Sequence, residues 1–324
     1  MTTRVFSISF LSKIRQFSTG RSEKRQFRKM ANYKVRSFRK EDIPDIVKVA
    51  KQSTFQYSVE SLQSWSKHDP DGIKVAELDS GEVVGLCASV NHNDKFSFGG
   101  TFCVLEKYRQ MEIGHKLFSA CFEHAGSRNI GLNCPNERMN SYKRRGFEIF
   151  EETFSILEYE YFGPCKAELL SDQLPEGVEL KKFENSHLDA IFAYDLSMVG
   201  YDRRVILEAS FNEADTKTFV AFKNSVCVGF GAVKLNIFEN ARVGPLYAND
   251  PALAEVMFRR LLEAFPDAKG LAMTTLSNNF SANENIKRLG IPVHDNLLRL
   301  YTKEKLKVNT SKIYAQFDVD FSPF

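Results

Sequence analysis

The sequence predicts an α/β (α+β) protein of two similar domains in tandem, each with a mixed, mostly antiparallel sheet flanked by helices. Its 324 residues are enough for two domains that each bury a core. Segments with the apolar alternation of strands are interleaved with segments that have the apolar spacing of helices. Their order repeats with an offset of 144 residues, as Gly85 and Gly229, and Gly146 and Gly290, show. We divide the chain into a first domain, a linker, a second domain and a tail, at residues 33–162, 163–177, 178–305 and 306–324.

The composition describes a globular protein without a metal or membrane signal. Apolar residues make up 43% of the chain and charged residues 26%. No apolar run reaches the roughly 20 residues that a membrane-spanning helix needs. The six cysteines are widely spaced, form no C-x-x-C pair and mostly lie in apolar runs. We therefore predict buried free thiols, no metal site and no membrane partner.

Residues 1–30 differ from the rest of the chain in charge. They hold eight Lys and Arg residues against one acidic residue, a net charge of +7, whereas the remainder carries −4. An Arg- and Ser-rich segment that is almost free of acids is typical of a mitochondrial transit peptide. The alternative is a disordered basic tail on a cytoplasmic protein. The mildly acidic remainder predicts no nucleic-acid partner, because such binding relies on a basic surface.

The first domain alternates between strand and helix patterns. The turn Asp79-Ser80-Gly81-Glu82 is typical of a hairpin. The predicted strands are at 33–38, 73–78, 83–90, 101–105, 129–134 and 147–161. The predicted helices are near 43–50, 58–66, 113–124 and 136–145.

The stretch from Thr101 to His124 joins a strand to a helix through a polar turn. Apolar residues recur at helical spacing from Ile113 to Cys121, and Gly114 leaves room for another group to approach the backbone. A helix that begins in this way presents unpaired N–H groups and the positive end of its dipole, which suits a phosphate. An ordinary strand–helix connection would have the same pattern.

Two segments of the first domain resemble the signatures of the GNAT acetyltransferase superfamily. The turn Arg109-Gln-Met-Glu-Ile-Gly114 resembles its acyl-CoA pyrophosphate loop, (Gln/Arg)-x-x-Gly-x-(Gly/Ala), with Glu112 at the position of the first glycine. Asn136 and Tyr142 follow at the spacing of a second GNAT signature. The resemblance implies a GNAT-like fold for each domain, with acetyl-CoA as co-substrate and no metal.

The resemblance also implies roles for residues of the first domain. Tyr142 would protonate the departing thiolate, and a backbone N–H would polarise the thioester carbonyl. No residue stands out as the general base, for which His92 and Asp94 are candidates. The cofactor contacts that the resemblance implies are Phe102, Cys103, Val104, Arg109, Gln110, Met111, Glu112, Ile113, Gly114, His115, Asn136 and Tyr142.

The second domain lacks this chemistry at the corresponding positions. The loop position holds Gly244-Pro-Leu-Tyr-Ala-Asn-Asp-Pro251, in which Asp250 adds a negative charge and Pro251 has no N–H. Ile286 stands in place of the tyrosine. We therefore expect that this domain does not bind the cofactor in the usual way.

The second domain resembles the YitH-like GNAT domain that follows a catalytic one and helps to wall the acceptor pocket. Tyr201, Asp202 and Arg203 are candidates for binding a polar acceptor, and a structural Asp–Arg pair is the alternative. In the tail, Ile313–Phe321 has a strand-like pattern that could pair with a sheet edge.

The leading functional prediction is an N-acetyltransferase. It would move acetyl from acetyl-CoA to a primary amine of an amino acid, a polyamine-like small molecule or a peptide, by direct attack in a ternary complex. One alternative is a mitochondrial amino-acid N-acyltransferase of the glycine-conjugating type, which the N-terminal segment favours. Another is a non-catalytic acyl-CoA-binding sensor, which the carboxylate of Glu112 in the loop favours.

Overall fold

The computed structural model describes residues 32–53 and 55–324, so the predicted targeting segment lies outside the described residues. The strands are β1 (Tyr33–Ser37), β2 (Ile73–Leu78), β3 (Val83–Asn91), β4 (Phe96–Val104), β5 (Asn129–Pro135), β6 (Ile149–Phe150), β7 (Ile156–Phe162), β8 (Val178–Lys182), β9 (Lys217–Lys223), β10 (Val226–Leu235), β11 (Ala241–Ala248), β12 (Gly270–Leu276), β13 (Asp295–Tyr301) and β14 (Ile313–Ala315). The helices are α1 (Ile43–Ser53), α2 (Val59–His68), α3 (Ile113–Ala125), α4 (Met139–Lys143), α5 (Leu188–Val199), α6 (Arg204–Phe211), α7 (Pro251–Glu263) and α8 (Phe280–Arg288).

The two halves of the chain have the same order of elements. Each begins with a strand and two helices, continues with three antiparallel strands, a helix and a strand, and ends with a short helix and a final strand. The first half has one additional element, the two-residue strand β6, before its final strand. These elements run from β1 to β7 in the first half and from β8 to β13 in the second. The predicted α+β class with two tandem domains is therefore confirmed.

The two halves share one sheet because they exchange their last strands. Neighbouring strands follow the order β1-β2-β3-β4-β5-β13-β7-β12-β11-β10-β9-β8, with β6 paired to β13 and β14 paired to β11. Strand β13 of the second half lies antiparallel to β5 of the first, with Leu300 opposite Leu132. Strand β7 of the first half lies antiparallel to β12 of the second, with Tyr159 opposite Met273. Each half thus completes the sheet of the other.

Some elements have other bounds than the sequence predicts. Strand β4 begins at Phe96 rather than at Thr101, since Phe96 and Phe98 are buried and extend the strand. The predicted strand at 147–161 is divided into β6 and β7. The predicted helix at 136–145 is a short 3-10 turn followed by α4.

The tail turns back into the protein. Its predicted strand is a strand only at Ile313–Ala315, which pairs with β11. The aromatic residues that follow are buried, and Phe321 stacks on Trp65 of α2 with ring centroids 5.7 Å apart. The Trp65 indole also donates from Nε1 to Asp318 Oδ2 at 3.0 Å. The tail therefore ties the two halves together through their apolar core.

Across the described ranges, no helix combines the length and the apolar character that crossing a bilayer requires.

Candidate active site

A cleft opens in the first half where strands β4 and β5 separate. They pair in parallel from Phe96 and Asn129 to Gly99 and Leu132, after which β5 continues beside β13 alone. Thr101 in the irregular part of β4 has a φ of 48°. The gap contains a cavity of about 720 Å³. This volume lies in the range of small-molecule binding pockets.

The loop between β4 and α3 leaves backbone N–H groups free. Gln110 and Glu112 have φ values of 73° and 60°, the left-handed conformation that glycine adopts most readily. Glu112 is exposed, and its side chain makes no capping hydrogen bond at the start of α3. Within the described part of the chain, the N–H groups of Ile113, Gly114 and His115 meet no acceptor. The loop therefore keeps the backbone of an anion-binding helix start although Glu112 replaces a glycine.

Basic side chains line the cavity near this loop. They are Arg109 from the loop itself and Arg138 and Arg145 from the segment around α4. Arg109 Nε donates to the carbonyl oxygen of Val104 at 3.0 Å, and the Arg145 guanidinium lies 5.1 Å from the centre of the Phe118 ring. Together with the start of α3, these three cations suit the phosphate groups of a ligand.

Tyr142 lines the same cavity from helix α4. Its ring packs against Phe118 and Phe147, with centroid distances of 6.2 and 5.9 Å. Burial raises the pKa of Tyr142 to about 12, and the nearby thiols of Cys87 and Cys134 act in the same direction. The phenol therefore holds its proton at neutral pH, as a proton donor must.

Cys103 lies in β4 beside the cleft, between Phe102 and Val104. Burial raises the pKa of its thiol to about 12. Only the thiolate is an effective nucleophile. The structure therefore gives Cys103 a place in the wall of the cleft and no activation for covalent catalysis.

Four carboxyl groups line the cavity as well. Glu158 and Glu160 lie two residues apart on β7, and Asp295 of β13 stands directly opposite Glu158. Asp320 reaches the cavity from the tail. Like charges opposite each other on neighbouring strands destabilise a sheet. Their placement here points to a binding role.

The surroundings of Glu158 and Asp320 raise the pKa values of both carboxyl groups. Burial raises the pKa of Glu158 to about 7, helped by Glu160 and Asp295 and opposed by Arg242. Burial also raises the pKa of Asp320 well above its usual range. A carboxyl with a pKa near 7 is suited to accept a proton at physiological pH.

These four carboxyl groups are not among the residues that the sequence motifs indicate. The run Glu158-Tyr-Glu160 contains a usable signal, since it places two acids on one face of an otherwise apolar strand. Neither of the predicted base candidates lines the cavity. His92 is packed against Trp65, and burial lowers its pKa to about 3, while Asp94 is exposed.

The structure brings seven of the twelve predicted cofactor contacts together. Those that line the cavity are Phe102, Cys103, Val104, Arg109, Gln110, Gly114 and Tyr142. The side chains of the other five do not line it: Met111, Glu112, Ile113, His115 and Asn136. Of these, Ile113 and His115 face the loop through their backbone N–H groups, and Asn136 is exposed.

The three predicted acceptor contacts lie elsewhere. Arg203 is buried and donates to both carboxylate oxygens of Asp195, with Nε 3.0 Å from Oδ2. Its Nη1 donates to the carbonyl oxygen of Phe324 at 2.7 Å. Asp202 is exposed beside Arg204, and Tyr201 packs on His92. None of the three lines the cavity, and the Arg203–Asp195 pair anchors the tail.

The corresponding cleft of the second half is filled by the chain itself. Strands β11 and β12 pair in parallel as far as Val243 and Met273 and then separate. Strand β14 enters the gap beside β11, and the Gln316 N–H donates to the Thr274 carbonyl of β12 at 3.0 Å. A Cβ on Gly244 would lie only 2.3 Å from the Gln316 carbonyl oxygen, so glycine is needed for this approach. The tail thus occupies the space that stays open in the first half.

The tail then continues into the cleft between β4 and β5, the first cleft, after leaving the second cleft between β11 and β12. A Cβ on Gly100 of β4 would lie 2.0 Å from the carbonyl oxygen of Asp320, so the tail is pressed against the point where β4 and β5 separate. Val319 and Asp320 line the cavity there. One segment therefore fills the second cleft and shapes the first.

Within residues 32–53 and 55–324, no three His, Cys, Asp or Glu side chains are arranged to hold a metal ion.

Comparisons with known families agree with this architecture. Two family models, each described as "Acetyltransferase (GNAT) domain", match residues 69–149 and 191–315, which together exceed half of the chain. The chain belongs to the GNAT acetyltransferase superfamily. It is a tandem GNAT protein, and the comparisons support an acyl-CoA-dependent acyltransferase.

Individual relatives are distant but cover most of the protein. The chain is 23% identical over 234 residues to the holothin acyltransferase of Pseudoalteromonas sp. (strain SANK 73390), a match that covers 72% of this chain and 76% of the relative. A putative acetyltransferase from Pyrococcus horikoshii superimposes with a TM-score of 0.68 at 22% identity, covering 90% of this chain and 96% of that one. A tandem GNAT protein from the clavulanic acid biosynthesis pathway superimposes with a TM-score of 0.57 at 11% identity, covering 83% and 98%. These likenesses show that the tandem fold is shared along almost the whole chain.

Proposed function

We propose that this GNAT protein is an N-acetyltransferase that moves the acetyl group of acetyl-CoA directly to a primary amine. The observation that carries the proposal is the charge distribution of one cavity. Three arginines and the start of α3 line it from the β4–α3 loop and the segment around α4. Carboxyl groups line it from β7, β13 and the tail. The first set suits the phosphates of CoA, and the second suits an amine. The similarity to a holothin acyltransferase supports acyl transfer.

The first cleft fits the CoA moiety. The free N–H groups of Ile113, Gly114 and His115, together with Arg109, would hold the pyrophosphate. The side of β4 from Phe102 onward would lie along the pantetheine arm. Bound there, acetyl-CoA supplies the acetyl group as a reactive thioester. A backbone N–H of β4 would stabilise the charge that develops on the carbonyl oxygen.

Two side chains would move the protons of the reaction. Glu158 accepts a proton from the amine nitrogen, which forms the new C–N bond as the C–S bond breaks. Tyr142 donates its phenolic proton to the sulfur that leaves. The raised pKa values suit both roles, since burial raises the pKa of Glu158 to about 7 and that of Tyr142 to about 12.

We infer that the second domain shapes the acceptor end and does not bind cofactor. Its strand β13 contributes Asp295 and Leu297 to the cavity, and the tail contributes Asp320. Its own cleft is filled by residues 313–316. These contacts support a role for the second domain as a wall of the acceptor pocket, as the resemblance to a YitH-like domain implies.

The test is to incubate the full chain with acetyl-CoA or longer acyl-CoAs and a panel of amines while following the release of free thiol. Acetyl transfer to an amine supports the proposal. A preference for long acyl-CoAs with glycine would favour the glycine-conjugating alternative, although the carboxylate of glycine would meet the acidic part of the cavity. CoA binding without thiol release from any acceptor would instead indicate a sensor.

We also propose that residues 1–30 direct the protein to mitochondria. The support is their net charge of +7, with eight Lys and Arg residues and a single acidic residue. Fusion of this segment to a fluorescent reporter tests the idea. A mitochondrial signal is expected, and a diffuse cytosolic signal would favour the cytoplasmic alternative.

A further inference from the structure

The carboxyl group of Asp320 lacks a full set of partners within the protein. The residue is 5% exposed and lines the cavity at the point where β4 and β5 separate. Among the described residues, its Oδ2 has no hydrogen-bond partner. A buried polar group without a partner costs free energy, and a native protein retains one where a ligand or another function accounts for it. The orphaned oxygen therefore points to a donor that a ligand supplies.

Asp318, two residues earlier in the tail, has hydrogen-bond partners for both of its carboxylate oxygens. Its Oδ1 accepts from Arg242 Nη2 at 2.9 Å, and its Oδ2 accepts from Trp65 Nε1 at 3.0 Å. Arg242 is thus engaged by Asp318 rather than by Asp320. The tail places one paired carboxylate in the core and one unpaired carboxyl in the cavity.

The carboxyl groups at one end of the cavity, which we name the acceptor end, would be stabilised by a bound cation. Besides Asp320, the cavity is lined by Glu158, Glu160 and Asp295. The imidazole of His294 lies 3.6 Å from Glu160 and balances at most that one charge. An amine must be neutral to attack a thioester, so a monoamine brings no lasting positive charge to these groups. An acceptor that carries a carboxylate would add a further negative charge.

Apolar side chains also line the cavity near these carboxyl groups. Phe55, Leu297 and Val319 line the cavity among the carboxyl groups. Such walls suit the methylene chain of an aliphatic ligand.

We propose that the acceptor is a small aliphatic diamine, whose second ammonium group is bound by Asp320 while the first amine is acetylated. This inference rests on the proposed function and narrows its acceptor class. The ammonium group donates to the unpartnered oxygen of Asp320, and Glu160 and Asp295 add to the negative field around it. Binding of the cation favours the ionised form of Asp320. If the Asp320 carboxyl is protonated in the free protein, binding of the diamine therefore releases that proton.

The experiment compares two acceptors of equal length, 1,4-diaminobutane and 4-aminobutan-1-ol, with the full chain and saturating acetyl-CoA. We expect kcat/KM for the diamine to exceed that for the amino alcohol by about 30-fold, the effect of a buried charge pair. In Asp320→Asn this preference should fall to within about threefold. Asp189→Asn is the control, because this exposed carboxylate lies outside the cavity, and it should keep the preference.

Equal kcat/KM values for the two acceptors would overturn the proposal, as would an undiminished preference in Asp320→Asn. Strong preference for a lysine-containing peptide over the diamine would overturn it too. If circular dichroism shows that Asp320→Asn does not fold, Glu160→Gln takes its place, with a smaller loss of preference expected and an unchanged preference counting against the proposal.

A binding measurement separates this proposal from the proposed function. If no amine releases thiol, titration calorimetry with 1,4-diaminobutane and with 4-aminobutan-1-ol still decides the acceptor class, with acetyl-CoA present throughout. Selective binding of the diamine that is lost in Asp320→Asn supports the site even without catalysis. Equal or absent binding of both compounds refutes it.

Discussion

The two halves of this protein form the same cleft and use it in opposite ways. In the first half, β4 and β5 separate after Gly99 and leave a cavity of about 720 Å³. In the second half, β11 and β12 separate after Val243, and residues 313–316 hydrogen-bond to both strands within the gap. A single segment, the tail, accounts for the difference. The repeated fold thus leaves one cleft open and fills the other with its own backbone.

The two helices that follow β4 and β11, α3 and α7, also differ in whether their first N–H groups are available to a ligand. Helix α3 has no side-chain cap, so its first N–H groups remain available. Helix α7 begins with Pro251, which has no N–H, and the Asp250 carboxylate accepts from the Leu253 N–H at 2.9 Å. An anion would find donors at α3 and a carboxylate at α7.

The largest expected effect comes from closing the first cleft. Gly114 lines the cavity, and even a Cβ there would lie 3.2 Å from the Phe102 ring. We expect Gly114→Trp to weaken CoA binding about 100-fold or more, measured by titration calorimetry. The matched control is Ala252→Trp, at the second residue of α7, where the side chain is exposed and binding should not change. Equal effects of the two substitutions would contradict the difference between the clefts.

The next effect concerns Tyr142, whose counterpart in the second half is Ile286. Tyr142→Phe should reduce kcat about 100-fold, because it removes the proton donor to the leaving thiolate. Acetyl-CoA binding should stay nearly unchanged, since the ring still packs against Phe118 and Phe147. Thiol release at saturating substrates and calorimetry measure the two quantities. Unchanged turnover would remove Tyr142 from this role.

Glu158 should govern the pH dependence of the first cleft. Its carboxyl must be ionised to accept a proton, and its pKa is raised to about 7, so kcat should fall about tenfold per pH unit well below that value. The charged groups around it are Glu160 on β7, Asp295 on β13, Arg242 on β11 and Asp320 in the tail. In Glu158→Gln the profile should lose this limb, with activity about 10- to 100-fold lower at pH 8. A profile that keeps its shape in the variant would exclude Glu158 as the base.

The smallest effect is expected at Glu112. This residue holds a left-handed conformation, φ 60°, that costs a non-glycine residue roughly 1–2 kcal/mol. Glu112→Gly removes that strain and a carboxylate from the phosphate end. We expect a slightly higher melting temperature and CoA binding tighter by about fivefold in calorimetry, whereas Glu112→Ala should remove only the charge. Weaker binding in the glycine variant would show that the carboxylate contributes to the site.

The local elements could be predicted from the sequence because local patterns determine them. Strand β2 begins at Ile73 and ends at Leu78 as predicted, and α3 begins at the predicted Ile113. The predicted repeat is present as a repeated order of elements. The sequence also indicates Arg109, Gly114 and Tyr142 for the same reason, since they lie in two short motifs, and the structure places all three around one cavity.

The acceptor side could not be predicted, because it depends on contacts between distant parts of the chain. Asp295 meets Glu158 only through the exchange of β13 and β7 between the halves. Asp320 reaches the cavity only after the tail has passed through the second cleft. Arg203 follows Asp202 in the sequence, whereas the structure pairs it with Asp195 one helix earlier. Charge pairing across a fold follows from topology, which a linear motif does not contain.

The number of CoA molecules bound per chain tests the central claim most directly. Titration calorimetry of the full chain with CoA, checked by native mass spectrometry, gives this stoichiometry. If the first cleft binds the cofactor and the tail fills the second, one CoA binds per chain, and Gly114→Trp removes that site. A stoichiometry of two, or a single site that survives Gly114→Trp, would contradict the account.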